Sequence, residues 1–148
     1  MSLTDQLTEA MKEAMKAKDS LRLNAIRLIR TAVKNREIEA RETLDDQQVI
    51  GVLSTLVKQR RESAQVYRDN GREELAAKEE AELTVIQEFL PAQLDEAELQ
   101  AIIAAAVEET GASSLKDMGK VMKLVTGRTT GRADGRLVSE LVKARLSA

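Results

Sequence analysis

Three glycines and three arginines alternate at four-residue spacing in Gly127-Arg128-Thr129-Thr130-Gly131-Arg132-Ala133-Asp134-Gly135-Arg136, the least generic stretch of the sequence. Backbone without a Cβ can come close to a ligand, and guanidinium forks match the oxygens of phosphate. A plain helix–helix connection, with glycines at positive φ and arginines in water, is the competing reading of the same residues. The run is not a Walker loop: Gly127 and Gly131 stand one residue too close, no Lys-Ser or Lys-Thr follows, and no apolar strand precedes it. It also lacks the Gly-x-Gly and the strand–helix–strand context of a dinucleotide site. With Lys116, Lys120, Lys123, Lys143 and Arg145, its arginines make the end of the chain basic, and one compact unit could present them to a phosphate backbone.

A second cationic stripe, Lys58, Arg61, Arg68 and Arg72, is predicted on one face of a long helix, with Gln65 rather than an acid between. The run Arg27, Arg30, Lys34, Arg41 ranks below both, since Glu37 falls among them at pairing distance and makes it ordinary intrahelical support. Ser113, Ser114 and Lys116 hold the residue types of a Ser-Ser-Lys amidase centre. Ser114 is already explained as a helix cap, however, and no sheet is available to shape an oxyanion hole. Adjacent carboxylates such as Glu79 and Glu80, or Asp45 and Asp46, are splayed about 100° apart by a helix and read as solvated. Met11/Met15 and Met118/Met122 fall on apolar stripes and read as core. No catalytic residue, metal ligand set or cofactor is expected.

Composition narrows the chemistry further. The 148 residues include no Cys and no His, which excludes disulfides, thiolate nucleophiles, imidazole metal sites and His-based acid–base catalysis. Tyr67 and Phe89 are the only aromatics, so recognition of an RNA would be by shape rather than base stacking. With 23 basic and 25 acidic residues the net charge is −2, and the total carries no nucleic-acid signature. The distribution matters more, since the C-terminal third is a local dipole: Gln93 to Thr110 holds five acids and no base, whereas Gly111 to Ala148 holds eight bases against three acids. The start, Met-Ser-Leu-Thr-Asp, lacks the charged and apolar regions of a signal peptide. The longest apolar run, Ala101 to Val107, is far below the roughly 18 residues of a membrane span. A cytoplasmic protein with no membrane partner is the expectation.

The elements that must position these residues are helices, because 43% hydrophobic content with a single proline is too apolar for disorder and too poor in turns for many strands. The periodicity predicts a helix from Leu3 to about Lys16 capped by Ser2, and a second from Asp19 to about Glu39. A third starts with the capping box Asp45/Gln48 and the staple Leu44/Val49, carries Val52, Tyr67 and their neighbours inward, and ends before Gly71. A fourth is built on Leu75, Leu83, Ile86 and Phe89. These make an antiparallel bundle over residues 1–90. Leu90-Pro91 breaks the pattern and marks a domain boundary. Over 91–148 a small three-helix domain follows: one helix with the capping box Asp95/Glu98 ending at Gly111, one opened by Ser114 and Asp117 and closed by Gly127, and one capped by Asp134.

The runs Glu88-Phe89-Leu90-Pro91-Ala92-Gln93-Leu94, Gly111-Ala112-Ser113-Ser114, Asp117-Met118-Gly119-Lys120-Val121-Met122 and Gly131-Arg132-Ala133-Asp134-Gly135, with Val138-Ser139, resemble the GatB/YqeY family over essentially the whole chain. The likeness is closest to the free-standing YqeY-like proteins. The fold is also similar to the C-terminal tail of the GatB component of the glutamine-dependent aspartyl/glutamyl-tRNA amidotransferase. The resemblance implies an all-α protein with a larger N-terminal helical domain and a three-helix C-terminal domain. It further implies a link to tRNA amidation, in which such a tail helps to hold tRNA while other domains perform the carbon–nitrogen ligase chemistry with glutamine as amide donor. The catalytic cradle domain is missing from this chain. Among the matched positions, Lys120, Gly131, Arg132, Asp134 and Gly135 are implied as an RNA-facing surface.

The functional expectation is therefore a tRNA-binding, amidotransferase-associated module without its own catalytic centre, facing tRNA or another structured RNA and working beside tRNA-amidation or aminoacylation proteins. Two alternatives stand beside it: a glutamine-dependent carbon–nitrogen ligase component, and a protein-interaction module with a groove between its two domains.

Overall fold

A computed structural model describes residues 1–148, and all of its regular structure is helical. The first four helices are α1 (Leu3–Ala17), α2 (Ser20–Ala40), α3 (Asp46–Asp69) and α4 (Glu73–Gln87). Then come α5 (Glu96–Thr110), a 3-10 turn (Leu115–Asp117), α6 (Met118–Thr129) and α7 (Gly135–Ser147). The chain forms two compact units, Met1–Leu90 and Pro91–Ala148, each with its own apolar core.

In the first unit the helix starts are written locally. Ser2 and Asp5 exchange hydrogen bonds in a reciprocal capping box, Asp45 and Gln48 form another, and the Asp19 carboxylate accepts from the Arg22 N–H. Leu7, Ile26, Ile29, Val49, Leu53 and Ile86, all but fully buried, bring the four helices onto one core. Two-residue and three-residue connections, Lys18-Asp19 and Asn70 to Arg72, force α1/α2 and α3/α4 into antiparallel hairpins. The Asp46 carboxylate accepts from the Leu3 N–H at 3.0 Å, which ties the start of α3 to the start of α1.

The long α3/α4 hairpin is also joined by charge. Arg60 on α3 reaches Glu79 at 2.6 Å and Glu82 at 3.1 Å on α4, with the three side chains only 21%, 15% and 13% exposed. Further along, Arg68 pairs with Glu73 and Glu80. The apolar contribution of α4 differs from the periodicity reading. Leu75 is exposed while Ala76, Val85 and Ile86 are buried, because the arginine–glutamate pairs occupy the seam that a leucine would otherwise fill. Phe89 lies in the turn beyond α4 rather than on the helix, half-buried against the first core, with the Arg22 guanidinium 6.0 Å from its ring centre.

In the second unit Leu99, Ile103, Val121, Val125, Val138 and Val142 form the centre of the core. The Asp95 carboxylate accepts from the Glu98 N–H, but the reciprocal half of that capping box is absent. Ser114 and Asp117 do form a full box, and it opens the 3-10 turn that leads into α6. Gly127 does not close α6. The helix continues to Thr129, whose buried hydroxyl donates to the Val125 carbonyl, and the left-handed residue that ends the segment is Gly131 at φ 78°. The expected ten-residue glycine–arginine loop thus contracts to Thr130–Asp134, with Gly127 and Arg128 on α6 and Gly135 and Arg136 on α7.

Candidate nucleic-acid interface

Helix α6 turns Val121, Val125 and Thr129 to the core and leaves Gly119, Lys120, Lys123, Thr126 and Gly127 in solvent. On a 3.6-residue helix, Lys123 neighbours Gly119 and Gly127 at four residues and Lys120 at three, so these residues form one outward face. Lys116, in the preceding turn, extends it toward the helix start. None of the three lysines makes an ion pair, and an added Cβ at Gly119 or Gly127 would meet nothing within 4 Å. The nearby Asp117 carboxylate is already engaged, accepting from the Ser113 and Ser114 N–H groups at 2.9 and 3.3 Å. Those two backbone donors hold its pKa below the usual carboxylate range, with the Lys120 charge adding a smaller push in the same direction.

The arginines are placed differently. Arg128 leaves the α6 stripe and pairs with Glu109 on α5 at 2.7 Å, an interaction that lowers the Glu109 pKa. Arg136 and Lys143 are exposed on α7, with Glu140 on the same helix 3.6 Å from the Arg136 guanidinium. Arg145 is exposed without an ion-pair partner. Arg132 is half-buried in the α6–α7 turn, where its carbonyl accepts from the Leu94 N–H at 2.8 Å. The neighbouring Gly131 carbonyl accepts from the Gln93 side-chain amide at 2.8 Å. Asp134 caps α7 by accepting from the Arg136 N–H, so it serves the helix.

The stripe expected along α3 is divided. Lys58 and Arg61 are exposed on it, Arg68 is held between Glu73 and Glu80, and Arg72 is off the helix as the N-cap residue of α4. Glu37, expected to neutralise the α2 cations, instead accepts from the Leu44 N–H at 3.0 Å and helps to close the α2–α3 turn. None of these pairings is visible in a sequence, because the partners lie several positions apart or on different helices.

The motifs that carry the family resemblance are mostly architectural. Glu88 pairs with Arg22, and Phe89 and Leu90 pack on the first core. Gln93 and Leu94 bond to the Gly131-Arg132 turn of the second unit. One short run thus secures a helix end in one unit and a helix connection in the other.

Two helical units, one bearing three exposed lysines that make no ion pair, define a small all-α protein. The chain belongs to the YqeY-like protein family, whose model matches residues 4–146. Among similar proteins is "Altered inheritance of mitochondria protein 41, mitochondrial" of Vanderwaltozyma polyspora, 36% identical over 76% of this chain and 64% of its own length. The protein of the same name from Lachancea thermotolerans is 32% identical over 89% of this chain and 74% of its own length. That from Eremothecium gossypii is 39% identical over 58% and 48%. The chain therefore spans between about half and three quarters of these relatives. Their names place them in mitochondria, which overturns the expectation of a cytoplasmic protein. No helix is long and apolar enough to cross a membrane.

Proposed function

We propose that the chain is a non-catalytic RNA-binding module that docks structured RNA, tRNA in the first instance, through the outward face of α6. The single observation that carries this reading is the set Lys116, Lys120 and Lys123, exposed on one side of the second unit and none of them within ion-pair distance of a carboxylate. Two exposed glycines flank Lys123 in a helix where alanine would be more stable, and each lets a phosphate backbone approach the helix axis more closely than a side chain would. Ammonium groups act as point charges on phosphate and carry no sequence information, which suits recognition of an A-form surface by shape. The resemblance to the amidotransferase tail supplies the rest of the proposal: the module holds RNA beside proteins of tRNA amidation, and the carbon–nitrogen ligase chemistry belongs to those proteins.

The test is filter retention of bulk tRNA by the wild type, by a Lys116→Gln/Lys120→Gln/Lys123→Gln variant and by Arg128→Gln. The triple variant should lose most retention while Arg128→Gln keeps it, since Glu109 already occupies that arginine. Absence of retention by the wild type removes the proposal. Incubation of the pure chain with glutamine, ATP and misacylated tRNA should give no turnover, and measurable amidation would replace this reading by a ligase.

A further inference from the structure

Helix α2 carries a second cationic surface. Its core side is Ala25, Ile26, Ile29 and Val33, and the opposite side exposes Arg27, Arg30, Thr31, Lys34 and Ile38. Steps of three, four and seven residues place these on one stripe, and Arg41 at the helix end continues it. From Arg27 to Arg41 the stripe runs roughly 21 Å at the helical rise. Arg27, Arg30, Lys34 and Arg41 make no ion pair; the only pair formed within this helix is Arg36 with Glu39. Thr4 and Leu7 of α1 border the stripe across a groove of about 510 Å³ lined also by Arg30, Thr31 and Lys34. The one carboxylate in that groove is Glu37, whose Oε2 is committed to the Leu44 N–H. Arg30 rests one N–H on the Met11 sulfur at 2.8 Å, a weak acceptor that fixes the guanidinium while leaving its remaining donors outward.

Four unpaired cations against one carboxylate, Glu37, which is turned to the Leu44 N–H, match a regular row of negative charge. Ile38 is the single large apolar group among them, too little for a lipid-inserting face, which needs a continuous apolar stripe. We infer that the outward face of α2 is a second contact surface for an RNA phosphate backbone, independent of the α6 face. The identity of the polyanion rests on the RNA reading above; the surface itself does not.

Binding of a short RNA duplex of arbitrary sequence, titrated across salt, separates the two. An Arg27→Gln/Arg30→Gln/Lys34→Gln variant should bind on the order of ten-fold more weakly and show a log–log salt slope shallower by about three. Arg41→Gly removes one more charge at a position whose φ of 55° glycine adopts without strain, so it should fold as the wild type and lower the slope by about one. If the α2 variants bind with wild-type affinity and slope while the α6 variant weakens, the inference is overturned and the proposed function stands. If the α2 variants weaken and the α6 variant does not, the inference stands and the α6 reading fails. Phosphatidylserine vesicles in place of the duplex complete the test: an α2 variant that loses vesicle binding but keeps the duplex overturns the inference in favour of a membrane surface.

Discussion

Arg60 shows how much one side chain can hold. Its guanidinium joins Glu79 and Glu82 across α3 and α4 with little exposure on any of the three, so removing it leaves two glutamates facing each other at a partly dry seam. Arg60→Ala should cost about 2 kcal/mol by urea denaturation, whereas loss of the exposed Arg36–Glu39 pair should cost well under about 1 kcal/mol. Lys18 ends α1 at φ 57°, a conformation that penalises any Cβ, and Lys18→Gly should gain up to about 1 kcal/mol in the same assay. Asp117 and Glu109 give the second unit a pH dependence. Backbone donors from Ser113 and Ser114 lower the first pKa, and Arg128 lowers the second. A carboxylate whose folded pKa is depressed contributes above its unfolded value and loses that contribution as pH falls through the folded one. Melting temperature should therefore hold near neutrality and drop below about pH 4, and Asp117→Ala should flatten that drop.

At the scale of the helix, α6 pays stability for an open face. Gly119→Ala and Gly127→Ala meet no neighbouring atom and should each stabilise the fold by about 0.5–1 kcal/mol in thermal unfolding, while tRNA retention falls as the added methyls hold the phosphates off. Unchanged retention would assign these glycines no role in contact. Helix starts at Ser2, Asp19, Asp45, Asp95, Ser114 and Asp134 were legible in the sequence because a cap involves residues within three positions of one another. The end of α6 was not, because an open-sided glycine at 127 and a left-handed glycine at 131 look alike as letters and differ only in φ. Leu75 misled for a related reason: period alone ranks leucine above Ala76, and the cross-helix charges that occupy the α4 seam are set by residues on α3. The cations themselves could be read from composition. Which of them stay free could not, since Glu109, Glu80 and Glu37 find their partners only once the helices pack.

Over the whole molecule, a net charge of −2 means that no general attraction draws the protein to a polyanion. On the proposed RNA reading, affinity comes from local faces where cations gather; the pairing of Arg128 with Glu109 leaves the α6 face to lysines, and the α2 face holds three arginines and one lysine. Near absence of aromatic rings removes stacking as a second source of affinity. Binding should then be steeply ionic and indifferent to sequence. The dependence of tRNA affinity on salt concentration measures this directly. The three α6 lysines and four α2 cations together predict a log–log slope of about −5 to −6, with the same slope for an unrelated structured RNA. A slope near zero, or a strong preference for single-stranded RNA, would contradict the account.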